Sequence, residues 1–177
     1  NFFYLPNQYW IHKNHKVVIE AINIIKKKSN KNITVYSSGS KEDYRFKNNF
    51  ENLFNLVKKY KLDKNYIYLG LIPYLDVMSL IYYSSAVINP SLFEGWSSTV
   101  EQAKAYNKKI ILSDISVHRE QKPKYSYFFH PKNFLILSKI LIKINSSKKT
   151  LTKNIKLNLK KNIENYTNEY CKIILKN

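Results

Sequence analysis

The sequence predicts an α/β fold, a parallel, doubly wound sheet with helices on both faces. Three observations carry this reading. Short apolar runs alternate along the chain with stretches whose apolar residues recur at helical spacing. The central run, Ala86 to Ile88, is apolar throughout, as a parallel strand covered on both faces is. No linker and no internal repeat divides the 177 residues, so 1–177 reads as a single domain. A domain of that length buries about 70% of its unfolded surface.

Taken in order, Phe2 to Leu5 reads as the first strand, and Val17, Val18, Ala21, Ile22 and Ile25 place a helix after it. Asn7 to His15 is then a polar, aromatic loop at the ligand end of the sheet. Its Lys13 is suited to hold a phosphate as a point charge. His12 and His15 read as loop histidines, since no metal-ligand set accompanies them. Ile33 to Tyr36 is the second strand. Ser37-Ser38-Gly39-Ser40 follows, a loop that makes a turn or lets backbone approach a ligand. Asp43 to Tyr60 is helical, with Phe50, Leu53, Phe54 and Val57 on one face. Tyr66 to Leu69 is the third strand, closed by Gly70. Pro73 suits a helix start, with Val77, Leu80 and Ile81 inward.

The stretch from Ala86 to Gln102 organises the rest. The strand should end near Pro90, which cannot donate to a sheet ladder. Ser97, Ser98 and Thr99 offer helix caps ahead of Val100, Ala103 and Ala105. Ser98 with Glu101, or Thr99 with Gln102, fits a capping box, and Glu101 reads as a structural cap. Glu94 precedes a glycine in the turn and caps nothing. It stands where ligands bind an open α/β sheet, ahead of a helix N-terminus that attracts anions. Lys109 to Leu112 and Ser126 to Phe129 are the remaining strands. Two or three helices finish the chain, with Leu135, Leu137, Ile140, Leu141 and Ile144 as one buried stripe. Lys153 to Lys176 reads as Lys- and Asn-rich and amphipathic.

The formal net charge of +18 attracts phosphates, anionic lipid and nucleic acid. Lys and Asn are nonetheless spread along the chain, which reads as a composition bias. A single cysteine, Cys171, excludes an internal disulfide and suits a reducing, cytoplasmic compartment. No run is apolar enough to cross a bilayer; the longest, Phe134 to Ile144, carries Lys139 and Lys143. The chain opens on Asn1, and its only methionine is Met78, so it is expected to be part of a longer protein. There is no G-x-G-x-x-G and no P-loop pattern, which argues against a dinucleotide enzyme or an NTPase. The residues alone point to a basic α/β domain that binds a phosphorylated ligand.

Several motifs in order extend that reading. Pro90-Ser91-Leu92-Phe93-Glu94-Gly95-Trp96, then Glu101-Gln102-Ala103, then Ile110 to Asp114 and Glu120, resemble the signature of glycosyltransferase family 4. Tyr4 to His15 is similar to the start of that family's second domain. Likeness is closest to bacterial polysaccharide mannosyl- and rhamnosyltransferases, and it weakens beyond Glu120. The resemblance implies half of a GT-B enzyme of two Rossmann-like domains: the C-terminal, donor-binding half, with the N-terminal acceptor domain absent.

The same resemblance assigns roles. Glu94 would hold hydroxyls of the donor sugar, and Lys13 the diphosphate; these are the catalytic candidates. Gly95, Trp96 and Ser97 would present backbone N–H groups to the diphosphate, and Gln8, Gly39, Ser98, Glu101 and Gln102 complete the expected donor-binding set. The family's second glutamate falls on Gln102, and an arginine before the phosphate lysine on Gln8. The implied reaction is retaining sugar transfer from a nucleoside diphosphate sugar to a saccharide or lipid-linked acceptor in surface polysaccharide synthesis. No metal and no other cofactor is expected. Peripheral contact with an anionic membrane is expected as well. Two other readings stand beside this one. One is a donor-binding module kept for regulation, with catalysis lost. The other is a basic nucleic-acid-binding domain, for which no recognised motif is present.

Overall fold

In the computed structural model, residues 1–29, 31–121 and 123–147 are described. They form one six-stranded sheet in the order β3-β2-β1-β4-β5-β6, with every pairing parallel. The first half runs β1 (Phe3–Pro6), α1 (His15–Lys28), β2 (Val35–Ser38), α2 (Asn49–Lys59), β3 (Tyr66–Tyr68) and α3 (Tyr74–Tyr83). The second half runs β4 (Ala86–Asn89), α4 (Ser98–Ala105), β5 (Ile110–Ser113), α5 (Ser116–Glu120), β6 (Ser126–Phe129) and α6 (Phe134–Ser146). A 3-10 turn, Ile11–Lys13, precedes α1.

Strand alternation splits the core in two. Phe3 and Leu5 of β1, Ala86 and Ile88 of β4, and Ile111 of β5 face one layer, together with Val18, Ile22 and Ile25 of α1 and Leu137 and Leu141 of α6. Tyr4, Val87, Ile110 and Leu112 face the other, against Ile81 of α3 and Val100 and Ala103 of α4. Both faces of the sheet are therefore covered, which is why its central strands β1, β4 and β5 are apolar up to their carboxyl ends. Each Leu or Ile sealed this way contributes about 1.5–3 kcal/mol.

Several expected boundaries shift. β1 runs Phe3–Pro6 rather than Phe2 to Leu5, since Pro6 still fits the last rung opposite Ser38. β2 is Val35–Ser38, so Ser37 and Ser38 belong to the strand and not to the loop after it. The helix expected from Asp43 begins only at Asn49. The cause is Asp43 itself. It is 3% exposed, and its carboxylate accepts N–H bonds from Ile11 (3.0 Å) and Arg45 (3.1 Å). That bends residues 43–48 around the loop after β1.

Leu135 is 49% exposed and leaves the expected buried stripe, which Leu137, Leu141 and Ile144 keep. His15 is not a loop histidine. It is the first residue of α1, buried, with Nε2 on the Gln8 carbonyl at 2.9 Å and Nδ1 on the Tyr66 hydroxyl at 2.7 Å. The expected amphipathic piece from Lys153 to Lys176, with Cys171, lies outside the described residues.

Candidate functional site

β1 and β4 are neighbours at the centre of the sheet, but their helices leave to opposite faces: α1 to one core layer, α4 to the other. The strand order reverses here, and the carboxyl ends of β1 and β4 open a crevice where ligands bind such sheets. The loop from Asn7 to Asn14 and the loop from Pro90 to Ser97 meet at these strand ends.

Two side chains close across it. Lys13 Nζ, from the 3-10 turn, donates to both oxygens of Glu94, at 2.8 and 2.9 Å. The two side chains are only 15% and 9% exposed. Burial pushes the Glu94 carboxyl up, but the Lys13 bonds and Ser91 outweigh it and hold it below the usual range. Ser91 Oγ lies 2.6 Å from Glu94 Oε1 and 2.8 Å from Asn89 Oδ1. Its single hydrogen serves one of them at a time, and the carboxylate makes the stronger bond.

Below the pair runs a buried amide ladder. Asn7 Nδ2 donates to Asn89 Oδ1 at 3.1 Å, and Asn89 Nδ2 to Ser97 Oγ at 2.8 Å. These bonds fasten the ends of β1 and β4 to the start of α4. The backbone adds a link from Leu92 N–H to the His12 carbonyl, 2.7 Å. Asn14, at φ 54°, donates from its amide to the carbonyls of Pro90 and Pro131, at 3.0 and 2.9 Å. Gly39 closes the same corner at φ 139°. A Cβ there would lie 2.7 Å from the Asn7 carbonyl oxygen, so only glycine lets β2 exit against β1.

The expected capping box does not form. Ser97 is the N-cap of α4, its Oγ accepting from Val100 N–H, and Ser98 is exposed. With the cap at Ser97, Glu101 falls past the third helical position and cannot reach back to it. Its carboxylate instead accepts from Gln121 Nε2 (2.8 Å) and Lys104 Nζ (3.1 Å). Gln102 is half-buried one residue on. Gly95 and Trp96 are exposed at the crevice rim, with Trp96 at 57%. The Gln8 side chain is exposed, and its carbonyl holds His15.

Sequence reasoning brought Lys13 and Glu94 to the site, but as separate ligand contacts rather than as one pair. It missed Asn7, Ser91, Ser113 and His118. The first two follow or adjoin apolar strand ends at the ligand edge, a signal available in the sequence. His118 carried none. It is fully buried on α5, its ring nitrogen Nδ1 against the Ser113 carbonyl at 2.8 Å, while Nε2 has no partner among the described residues. Among the described residues, no group of three or more His, Cys, Asp or Glu is placed to hold a metal ion.

Residues 1–167 match the family described as glycosyl transferases group 1. None of the curated proteins matches the chain. Among solved structures, the Anabaena protein HepE in complex with UDP and glucose superposes with a TM-score of 0.72 at 13% identity. That match covers 82% of this chain and 39% of the other. A glycosyltransferase from Rickettsia africae gives 0.70 at 20%, covering 82% and 37%. The C-terminal domain of the group 1 protein LpcC from Francisella tularensis gives 0.68 at 21%, covering 82% and 75%. The chain thus spans well under half of the Anabaena and Rickettsia proteins and most of the Francisella domain.

Proposed function

Because the chain belongs to the group 1 glycosyl transferases, we propose that it is the C-terminal, donor-binding domain of such an enzyme. In this reading a nucleoside diphosphate sugar lies in the crevice between β1 and β4. The observation that carries it is the Lys13–Glu94 pair, set at the strand-order reversal in front of the α4 N-terminus.

The chemistry follows from the residues present. Lys13 spends two of its three N–H groups on Glu94, so one remains for a diphosphate oxygen. The free N–H groups of the first turn of α4, with those of Gly95, Trp96 and Ser97, offer further donors to the same anion. Departure of the sugar builds negative charge on the diphosphate, and fixed positive groups lower that barrier. Glu94 accepts bonds from sugar hydroxyls. Glu101 is engaged by Gln121 and Lys104, which leaves Gln102 for the ribose. Transfer is retaining, without a protein nucleophile, to a saccharide or lipid-linked acceptor held by an N-terminal domain. Surface polysaccharide synthesis on the cytoplasmic side is the setting. Exposed lysines ending α1 (Lys26, Lys27, Lys28) and α2 (Lys58, Lys59) support contact with an anionic membrane.

The test is a melting series with UDP-glucose, GDP-mannose, UDP, GDP and the bare nucleosides. A ligand at a hundredfold its Kd stabilises the folded state by about 2.7 kcal/mol. The diphosphates should raise the melting temperature of the native chain, and Lys13→Ala should lose that rise. Absence of any shift with every diphosphate would sink the reading.

A further inference from the structure

All six strands run parallel, so their amino ends share one edge of the sheet, and their carboxyl ends, with the crevice, share the other. Each helix brings the chain back to the amino edge. The short connections there, from a helix end to the next strand, carry Lys31, Lys61, Lys64, Lys108, Lys109 and Lys124. Among their described residues the one acid is Asp63. Lys26 to Lys28, and Lys58 with Lys59, add to the same edge from the last turns of α1 and α2. The helix dipole favours cations in a last turn but fades beyond it. Lys31, Lys64 and Lys124 stand three or more residues past the helix ends.

A lysine-rich composition alone would load both edges alike. The connections at the carboxyl edge instead set Glu42, Asp43, Glu94 and Asp114 against four lysines and Arg45, so their charges nearly cancel. The fold thus gathers positive charge on the edge away from the crevice. Tyrosines stand among these lysines. Tyr82 and Tyr83 end α3 and Tyr125 precedes β6, at 38%, 67% and 45% exposure. Lys108 Nζ lies 6.0 Å from the Tyr82 ring centroid, Lys124 Nζ 5.3 Å from that of Tyr125, and Lys27 Nζ 5.7 Å from that of the half-buried Tyr60. Rings that already carry an ammonium are ill placed to stack on bases, as single-stranded nucleic acid requires. Tyrosine beside lysine is what the headgroup region of an anionic bilayer takes up.

Resting on the donor-binding reading of the crevice, we propose that the domain lies on an anionic bilayer by this amino edge, with the crevice opening away from the lipid. Charge complementarity supplies the attraction, and the exposed tyrosines settle among the headgroups. α1 sets the height of the site. It runs from His15, beside the crevice, to Lys28 at the lysine edge, 14 residues at about 1.5 Å each, or about 20 Å. The acceptor served by this orientation is a saccharide end that reaches at least that far from the surface, not a sugar held at the headgroups.

The experiment is co-sedimentation of the chain with vesicles of phosphatidylcholine alone, and of phosphatidylcholine and phosphatidylglycerol in equal parts. Binding is expected only to the anionic vesicles, and it should weaken as salt rises. Each lysine near such a surface contributes about fivefold, so Lys31, Lys64 and Lys124 changed together to Gln should weaken binding about a hundredfold. Lys41, Lys47 and Lys132 changed to Gln remove the same charge from the carboxyl edge and should change it little. The two tryptophans, Trp10 and Trp96, both stand on carboxyl-edge loops. Anionic vesicles with brominated acyl chains should therefore leave their emission unquenched on binding. Quenched tryptophans, equal losses in the two triple variants, or tighter binding to a single-stranded oligonucleotide than to the anionic vesicles would overturn the proposal. Should the first triple variant fail to fold, the tryptophan signal of the native chain decides. The vesicles need no nucleotide, so a failed melting shift with every diphosphate sinks the donor reading, and failed vesicle binding sinks the docking.

Discussion

Cutting either half of the Lys13–Glu94 pair strands the other, and the size of that loss follows from its burial. The bridge has two charge-assisted bonds, at 2.8 and 2.9 Å, between side chains 15% and 9% exposed. Removing one partner of a fully buried pair costs about 3–5 kcal/mol, because an uncompensated charge stays inside. Here the residual exposure and the Ser91 hydroxyl soften that penalty. Glu94→Gln and Lys13→Met should each lose about 1–3 kcal/mol, and a domain of this size shifts by about 2–4 °C per kcal/mol. The double variant removes both charges, so it should lose about 1–2 kcal/mol less than the sum of the singles. The assay is urea unfolding of all four proteins, read by the tyrosine and tryptophan signals. Additivity within about 0.5 kcal/mol would refute the reasoning, since it would mean that the two groups do not meet in solution.

Gly39→Ala should destabilise the fold by about 1–3 kcal/mol through the strained φ and the clash with Asn7, and circular dichroism melting will show it. Ser97→Ala should cost about 0.5–2 kcal/mol as a lost N-cap, whereas Ser98→Ala should melt like the native chain; equal losses would restore the Ser98 cap. The Glu94 carboxyl titrates below its unfolded value, so its stabilisation is present above about pH 4.5 and lost as pH falls through the folded value. Acid unfolding curves of the native protein and Glu94→Gln should therefore converge below that pH.

How much of this was legible in the sequence varies with what each residue answers to. The strand and helix order followed from apolar periodicity, because both faces of the sheet are covered and its central strands are apolar runs. Lys13 and Glu94 were legible as candidates because a charged or hydroxyl-bearing ligand at a strand end calls for those types. Their mutual bond was not, since residues 81 apart meet only through the pairing of β1 with β4. The cap of α4 was misjudged by one residue. The capping-box pattern favours Ser98, and the Asn89 amide, which holds Ser97 inward at 2.8 Å, overrides it. Asp43 misled for a similar reason. Helical periodicity ran through it, but a tertiary bond to Ile11 overrode local preference.

The sheet order also sets a timetable for synthesis. β1 is a central strand, but its two neighbours are made at very different times: β2 follows after one helix, whereas β4 waits for two more crossovers. Until β4 leaves the ribosome, one edge of β1 is open, an apolar template for unwanted pairing. The contact that locks the site, Asn7 to Asn89, spans 82 residues and so forms late. The crevice has no existence in the nascent amino-terminal half. A pulse of nascent-chain lengths should therefore show binding competence appearing in one step after β4 emerges, and the interval before it is when this chain most needs a chaperone.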